Sequence, residues 1–269
     1  MNNKSIGVFD SGLGGLTAVK QIMTELPNEN IIYFGDTGRV PYGTRSRETI
    51  LKYTRSDIRF LKTFDVKIIV IACGTASSAA LPMIKNEFDI PIVGVIDAAV
   101  YAAVRATKNK KIGVIGTSGT IKSREYENQI KEYDSDMRVF SRECPMFVPL
   151  VENGYFDTPV TKLIVEEYLE EIRRHGVDTL ILGCTHYPLL EKVIHEYMGD
   201  DVTLINSGAE VAKYLKKKLD CENAHSGQTD ENQYRYYVSD DISSFEQLGG
   251  IFLEREINGQ VNKIDIEKY

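Results

Sequence analysis

"KIIVIACGTASS" (residues 67–78) is an apolar, β-branched run that stops at a lone cysteine and passes into glycine and small hydroxyl residues. Such a run reads as a strand covered on both faces, with a helix starting behind it. The chain repeats the pattern in "DTLILGCTHYP" (178–188), which places Cys184 111 positions after Cys73. A single cysteine in that setting is ordinarily a small core residue. Two at matched places direct attention to what flanks them.

The flanks match as well. "IGVFDSGLGGLTAV" from Ile6 is echoed by "IGVIGTSGTIKS" from Ile112, an offset of 106. "IVGVIDAA" is echoed by "VTLINSGAE", which sets Asp97 against Ser207 at an offset of 110. Three echoes in one order and at nearly constant spacing describe a duplicated α/β unit. Further strands are expected at 31–34 and 111–116. Between strands lie amphipathic stretches such as 46–64, where Ile50, Tyr53, Ile58 and Leu61 approximate one apolar stripe. Alternating βα units with uniformly apolar strands imply an α/β fold on parallel sheets. Two similar domains related by a pseudo-twofold axis, with the active site in the cleft between them, are expected. Ligands of open α/β sheets sit beyond the carboxyl ends of the strands. Two such domains face to face would bring both cysteines to one cleft from opposite sides.

The remaining composition narrows the choices. A chain of 269 residues with 42% hydrophobic and 26% charged residues suits one or two globular domains. A net charge of −7 argues against a nucleic-acid footprint. The one basic cluster, Lys216–Lys218, reads as a solvated helix end. No run approaches the roughly 20 apolar residues of a membrane span. The start, "MNNKSIGVFD", lacks the pattern of a signal peptide, so a cytoplasmic protein is expected. Four cysteines without a CxxC pair suggest free thiols in a reducing compartment, with neither a disulfide framework nor a structural zinc site. Cys144 and Cys221 lack polar context and read as incidental.

Two thiols flanking one carbon are what inversion by proton transfer requires: one removes a proton, the other delivers one to the opposite face. A free thiol, with a pKa of about 8.5, can serve in either role. "FDSGLGG" (9–15) fails the dinucleotide fingerprint because position 17 is threonine, and it lacks the lysine of a phosphate loop. It offers a helix N-terminus to an anion, starting near Leu16. Asp10 at the strand end either orients, or accepts a proton from, an ammonium group of the ligand, or else Asp10 or Ser11 simply caps that helix. In "GDTGRVPYGTRS" (35–46), Pro41, Tyr42 and Gly43 would present backbone groups and a phenol to the cleft. Thr185 and His186 follow Cys184, and His186 would tune that thiol or donate a proton. Pro188 fits the first turn of the next helix.

The segments "IGVFDSGLGGLTAV", "YFGDTGRVPYG", "VIACGTAS", "VPLVENG" and "ILGCTHYPLL" together resemble the successive signatures of the glutamate racemases, cofactor-independent amino-acid racemases that work with two cysteines. The match runs from about residue 6 to residue 209. It implies Cys73 and Cys184 as proton donor and acceptor, assisted by Asp10 and His186. Asp10, Ser11, Tyr42, Gly43, Gly74, Thr75, Thr185 and His186 would bind the substrate. Thr117, Thr120 and Glu152 also match positions lining the cleft. The implied domains are 1–97 plus 208–269, the tail returning to the first domain, and 98–207. Glutamate is the implied substrate, with no cofactor and no metal, a homodimer as the assembly, and D-glutamate for peptidoglycan as the purpose.

One position departs from the family, which usually carries asparagine after the first cysteine where this chain has Gly74. The missing amide removes a hydrogen bond of about 0.5–1.5 kcal/mol and is expected to leave room that alters which acidic amino acid fits. The alternatives are a racemase of aspartate or another amino acid, and a non-catalytic amino-acid-binding protein. A thiol hydrolase built on Cys184 and His186 is a third, which leaves Cys73 without a task.

Overall fold

The computed structural model describes residues 2–227 and 233–269. Its first unit runs β1 (Ser5–Asp10), α1 (Leu16–Glu25), β2 (Ile31–Gly35), α2 (Arg47–Leu61), β3 (Val66–Ile71), α3 (Gly74–Ala79), α4 (Leu81–Ile84) and β4 (Ile92–Gly94). Next come α5 (Val95–Ala106), β5 (Lys111–Gly116), α6 (Ser118–Ser123), α7 (Glu125–Tyr133), β6 (Arg138–Glu143), α8 (Phe147–Glu152) and α9 (Pro159–Arg174). The chain continues through β7 (Thr179–Leu182), α10 (Glu191–Met198), β8 (Thr203–Asn206), α11 (Ser207–Glu222), β9 (Tyr234–Val238), α12 (Ile242–Leu253) and β10 (Val261–Lys263).

All strands pair in parallel, in two sheets of order β10-β9-β2-β1-β3-β4 and β6-β5-β7-β8. Stripped of β9 and β10, the first sheet has the same order as the second: β2-β1-β3-β4 against β6-β5-β7-β8. The internal echo of the sequence is therefore an echo of topology. β1 matches β5, β3 matches β7, and β4 with α5 matches β8 with α11. Every residue of β1, β2 and β7 is buried, because helices cover both faces of the sheets. Each isoleucine or valine so placed contributes about 1.5–3 kcal/mol.

Local signals set the helix boundaries. Ser46 caps α2 by accepting the Thr49 N–H, and Ile50, Ile58 and Leu61 of the expected stripe are buried. Thr158 caps α9, with Pro159 in its first turn. Pro188 lies in a short 3-10 turn, Tyr187–Leu190, rather than in an α-helix. The α-helix comes after it, since three residues per turn suits the tight exit from β7.

Three strands lie outside the sequence expectation, and all are at or near edges. β6 (RVFSRE), an edge strand of the second sheet, has no fully buried residue. Its counterpart β2 receives β9, with Tyr33 opposite Tyr236, and is buried throughout. The tail thus extends the first sheet through β9 and β10. No described helix is long and apolar enough to cross a membrane.

Candidate active site

The carboxyl ends of both sheets converge. From the first come the turn after Asp10, the loop after β2 and Cys73–Thr75; from the second come Thr117–Thr120 and Gly183–His186. Several contacts join them. The Gly119 N–H donates to the Gly43 carbonyl at 2.9 Å, the Thr75 and Thr117 hydroxyls lie 2.8 Å apart, and the Thr17 hydroxyl donates to the Thr185 carbonyl at 2.8 Å.

Cys73 follows β3 and occupies the N-cap of α3, where its sulfur accepts the Ala76 N–H at 3.4 Å. It is 5% exposed, and Ser11 Oγ lies 3.6 Å from the sulfur. Burial pushes the thiol up to about 12, helped by repulsion from Asp10, and the Cys184 sulfur is close enough to add to the effect. Cys184, half-buried, comes after β7 and Gly183, and its sulfur is 3.9 Å from His186 Nδ1. His186 Nε2 in turn meets Glu152 Oε1 at 3.1 Å. Burial works against the imidazolium, but Cys184 and Glu152 outweigh it and raise His186 from its ordinary 6.5 to about 10.

Asp10 is wholly buried at the end of β1. It does not cap α1, whose N-cap is Gly15 with no side-chain bond, and neither does Ser11. The carboxylate instead accepts the Gly12 N–H at 3.1 Å and faces the Thr185 hydroxyl at 3.4 Å across the cleft. Burial raises Asp10 above the usual carboxylate range, against the pull of His186 and the Gly15 and Gly12 N–H groups. Gly14 permits this meeting, since a Cβ there would lie 2.4 Å from Thr185 Oγ1 and 2.5 Å from the His186 ring.

The structure corrects two expectations. The Tyr42 phenol does not face the cleft: it is 1% exposed, and its hydroxyl lies 2.5 Å from Asp36 Oδ2 and 2.9 Å from Asp57 Oδ2, carboxylates also held by Arg39. A buried ion cluster needs every donor it can gather, and it takes the hydroxyl. What the turn presents to the cleft is Gly43. Gly74 leaves no spare room either. A Cβ at that position would lie 2.4 Å from the Gly183 carbonyl, so backbone from the facing unit fills the space. The direction a side chain at Gly74 would take is thus closed by the facing unit.

Thr75, Thr117 and Thr120 form a chain of hydroxyls, with 3.0 Å between the last two. Cys144, buried, and Cys221, exposed, are free thiols as well. Among the described residues no cluster of three or more histidine, cysteine or acidic side chains could hold a metal ion. Sequence reasoning did not find Arg39 or Asp57 in the ion cluster.

Two parallel-sheet units of one topology thus each end a central strand in a free thiol near their junction. The Asp/Glu/Hydantoin racemase family model matches residues 14–215. Glutamate racemase of Geobacter metallireducens is 44% identical over 264 residues, covering 98% of this chain and 97% of that one. The crystal structure of glutamate racemase isoform RacE1 from Bacillus anthracis superposes with a TM-score of 0.94 at 40% identity, covering 98% of each chain. That of Francisella tularensis glutamate racemase in complex with D-glutamate gives 0.93 at 37% identity over the whole of both chains. The chain belongs to the Asp/Glu/Hydantoin racemase family. It is an amino-acid racemase, an isomerase.

Proposed function

We propose that the chain interconverts L- and D-glutamate by a two-base mechanism in which Cys73 and Cys184 work on opposite faces of Cα. The observation that carries this is the placement of the two sulfurs at topologically equivalent strand ends of facing sheets, one beside Asp10 and Ser11, the other beside His186. Glutamate recognition draws support from the glutamate racemase relatives. Cys73, pushed up to about 12, is the thiol donor in one direction, with Cys184, 3.9 Å from His186 Nδ1, as the base. Cys184 takes the Cα proton, leaving a planar carbanion, and Cys73 gives its proton to the other face. The reverse reaction begins from the exchanged forms. Ser11, the Gly43 and Gly74 backbone, Thr75 and Thr185 hold the substrate, and Tyr42 acts only through its backbone.

In deuterated water, the first D-glutamate formed from L-glutamate should carry deuterium at Cα while remaining L-glutamate stays protiated. Equal early labelling of both would overturn separate acid and base. Turnover of aspartate enantiomers above that of glutamate would reassign the substrate. We also propose the domain division at 1–97 plus 208–269 and 98–207, supported by β9 and β10 joining the first sheet. A cytoplasmic setting, where thiols stay reduced, and supply of D-glutamate to peptidoglycan complete the reading. The homodimer implied by the family is tested by sedimentation with and without glutamate.

A further inference from the structure

Tyr33 lies in β2, two residues short of its end, opposite Val8 of β1 and wholly buried. Its hydroxyl donates to the Gly12 carbonyl at 2.8 Å. Gly12 is also the residue whose N–H holds Asp10, at 3.1 Å. The next support is Gly15, whose N–H faces both the Asp10 carboxylate and the Tyr33 oxygen. There is no slack here: a Cβ on Gly15 would lie 2.5 Å from Asp10 Cβ and 2.9 Å from the Tyr33 hydroxyl. A buried carbonyl without a donor is costly, so the phenol fixes the turn and the turn fixes the carboxylate.

We propose that Tyr33 is a positioning residue for Asp10: its hydroxyl anchors the glycine-rich turn and thereby holds the carboxylate in the cleft, facing the Thr185 hydroxyl. Burial, with Asp10 and Cys73 nearby, pushes the phenol well above its ordinary range, so it remains a donor wherever the enzyme works. The inference rests on the racemase assignment of Asp10.

The test is a double-substitution cycle on the full chain, read as kcat and KM for both enantiomers of glutamate. Tyr33→Phe should lower kcat about tenfold with KM within twofold, and the same change in an Asp10→Asn background should alter kcat less than twofold. Phe245→Leu loosens the ring that Tyr33 packs on, 6.0 Å away, without touching the hydroxyl, and should leave kcat within twofold. Equal losses from Tyr33→Phe in both backgrounds, or a tenfold loss from Phe245→Leu, would overturn the proposal even if Tyr33→Phe proves poorly folded. An Asp10→Asn enzyme of normal activity would overturn the role of Asp10 along with it. An Asp10-sensitive enzyme indifferent to Tyr33→Phe would remove only the present inference.

Discussion

Cys73 and Cys184 occupy the same place in two copies of one topology, yet their surroundings are opposite in sign. Cys73 is sealed at a helix N-terminus beside a buried carboxylate. Cys184 is partly open and lies beside an imidazolium backed by Glu152. Duplication gave two equivalent thiols, and divergence of their neighbours gave each a different electrostatic setting. A symmetrical pair would start with the same protonation on both sides, which suits neither direction of proton transfer. The difference lies in the polar groups gathered at each strand end: a turn holding Asp10 in one unit, a histidine two residues past the thiol in the other.

The severest way to break this comparison is to remove either sulfur. Cys73→Ser and Cys184→Ser should each lower racemisation about 10²–10⁴-fold by polarimetry, the range of a lost general acid or base. Retained activity in Cys73→Ser would point instead to chemistry at Cys184 and His186 alone. His186→Asn tests the charge contrast and should lower kcat about tenfold, more in the direction that begins with Cys184 as base. The raised His186 also stabilises the fold. That contribution is full below about 6.5 and is lost as pH climbs toward about 10, so the thermal midpoint of His186→Asn should fall less over that window than that of the parent.

Smaller effects sharpen the contact between the units. Gly74→Ala puts a methyl group against the Gly183 carbonyl, and overpacking of that kind costs about 1–3 kcal/mol. It should lower kcat/KM about tenfold. Thr75→Val cuts the hydroxyl chain to Thr117 and Thr120, and a lost hydrogen bond of about 1 kcal/mol should raise KM several-fold with little change in kcat.

Much of this was legible in the sequence, for identifiable reasons. Seven strands announced themselves as apolar, β-branched runs, the central ones because helices bury both their faces. β6 did not, since its residues at a free edge are half-exposed and include Arg138, Arg142 and Glu143. β9 and β10 belong to a tail with no counterpart in the second sheet. Cys73 and Cys184 emerged from the duplication, whereas Glu152 came only through family likeness, because it approaches His186 from a distant helix. The direction of the Tyr42 phenol depended on Asp57, fifteen residues on in α2, and no local pattern encodes that. The Gly74 expectation failed for a similar reason. The space a missing side chain leaves belongs to whichever backbone closes on it.

The placement of β9 and β10 sets an order of assembly during synthesis. Residues 111–206 hold every strand of the second sheet, so that sheet can form as soon as they leave the ribosome. The first sheet, although begun by the earliest residues, keeps the outer edge of β2 bare until residues 234–263 have emerged. An unpaired edge is where nascent chains associate wrongly. The unit translated first is therefore the one finished last, and it stays exposed to misassociation longest.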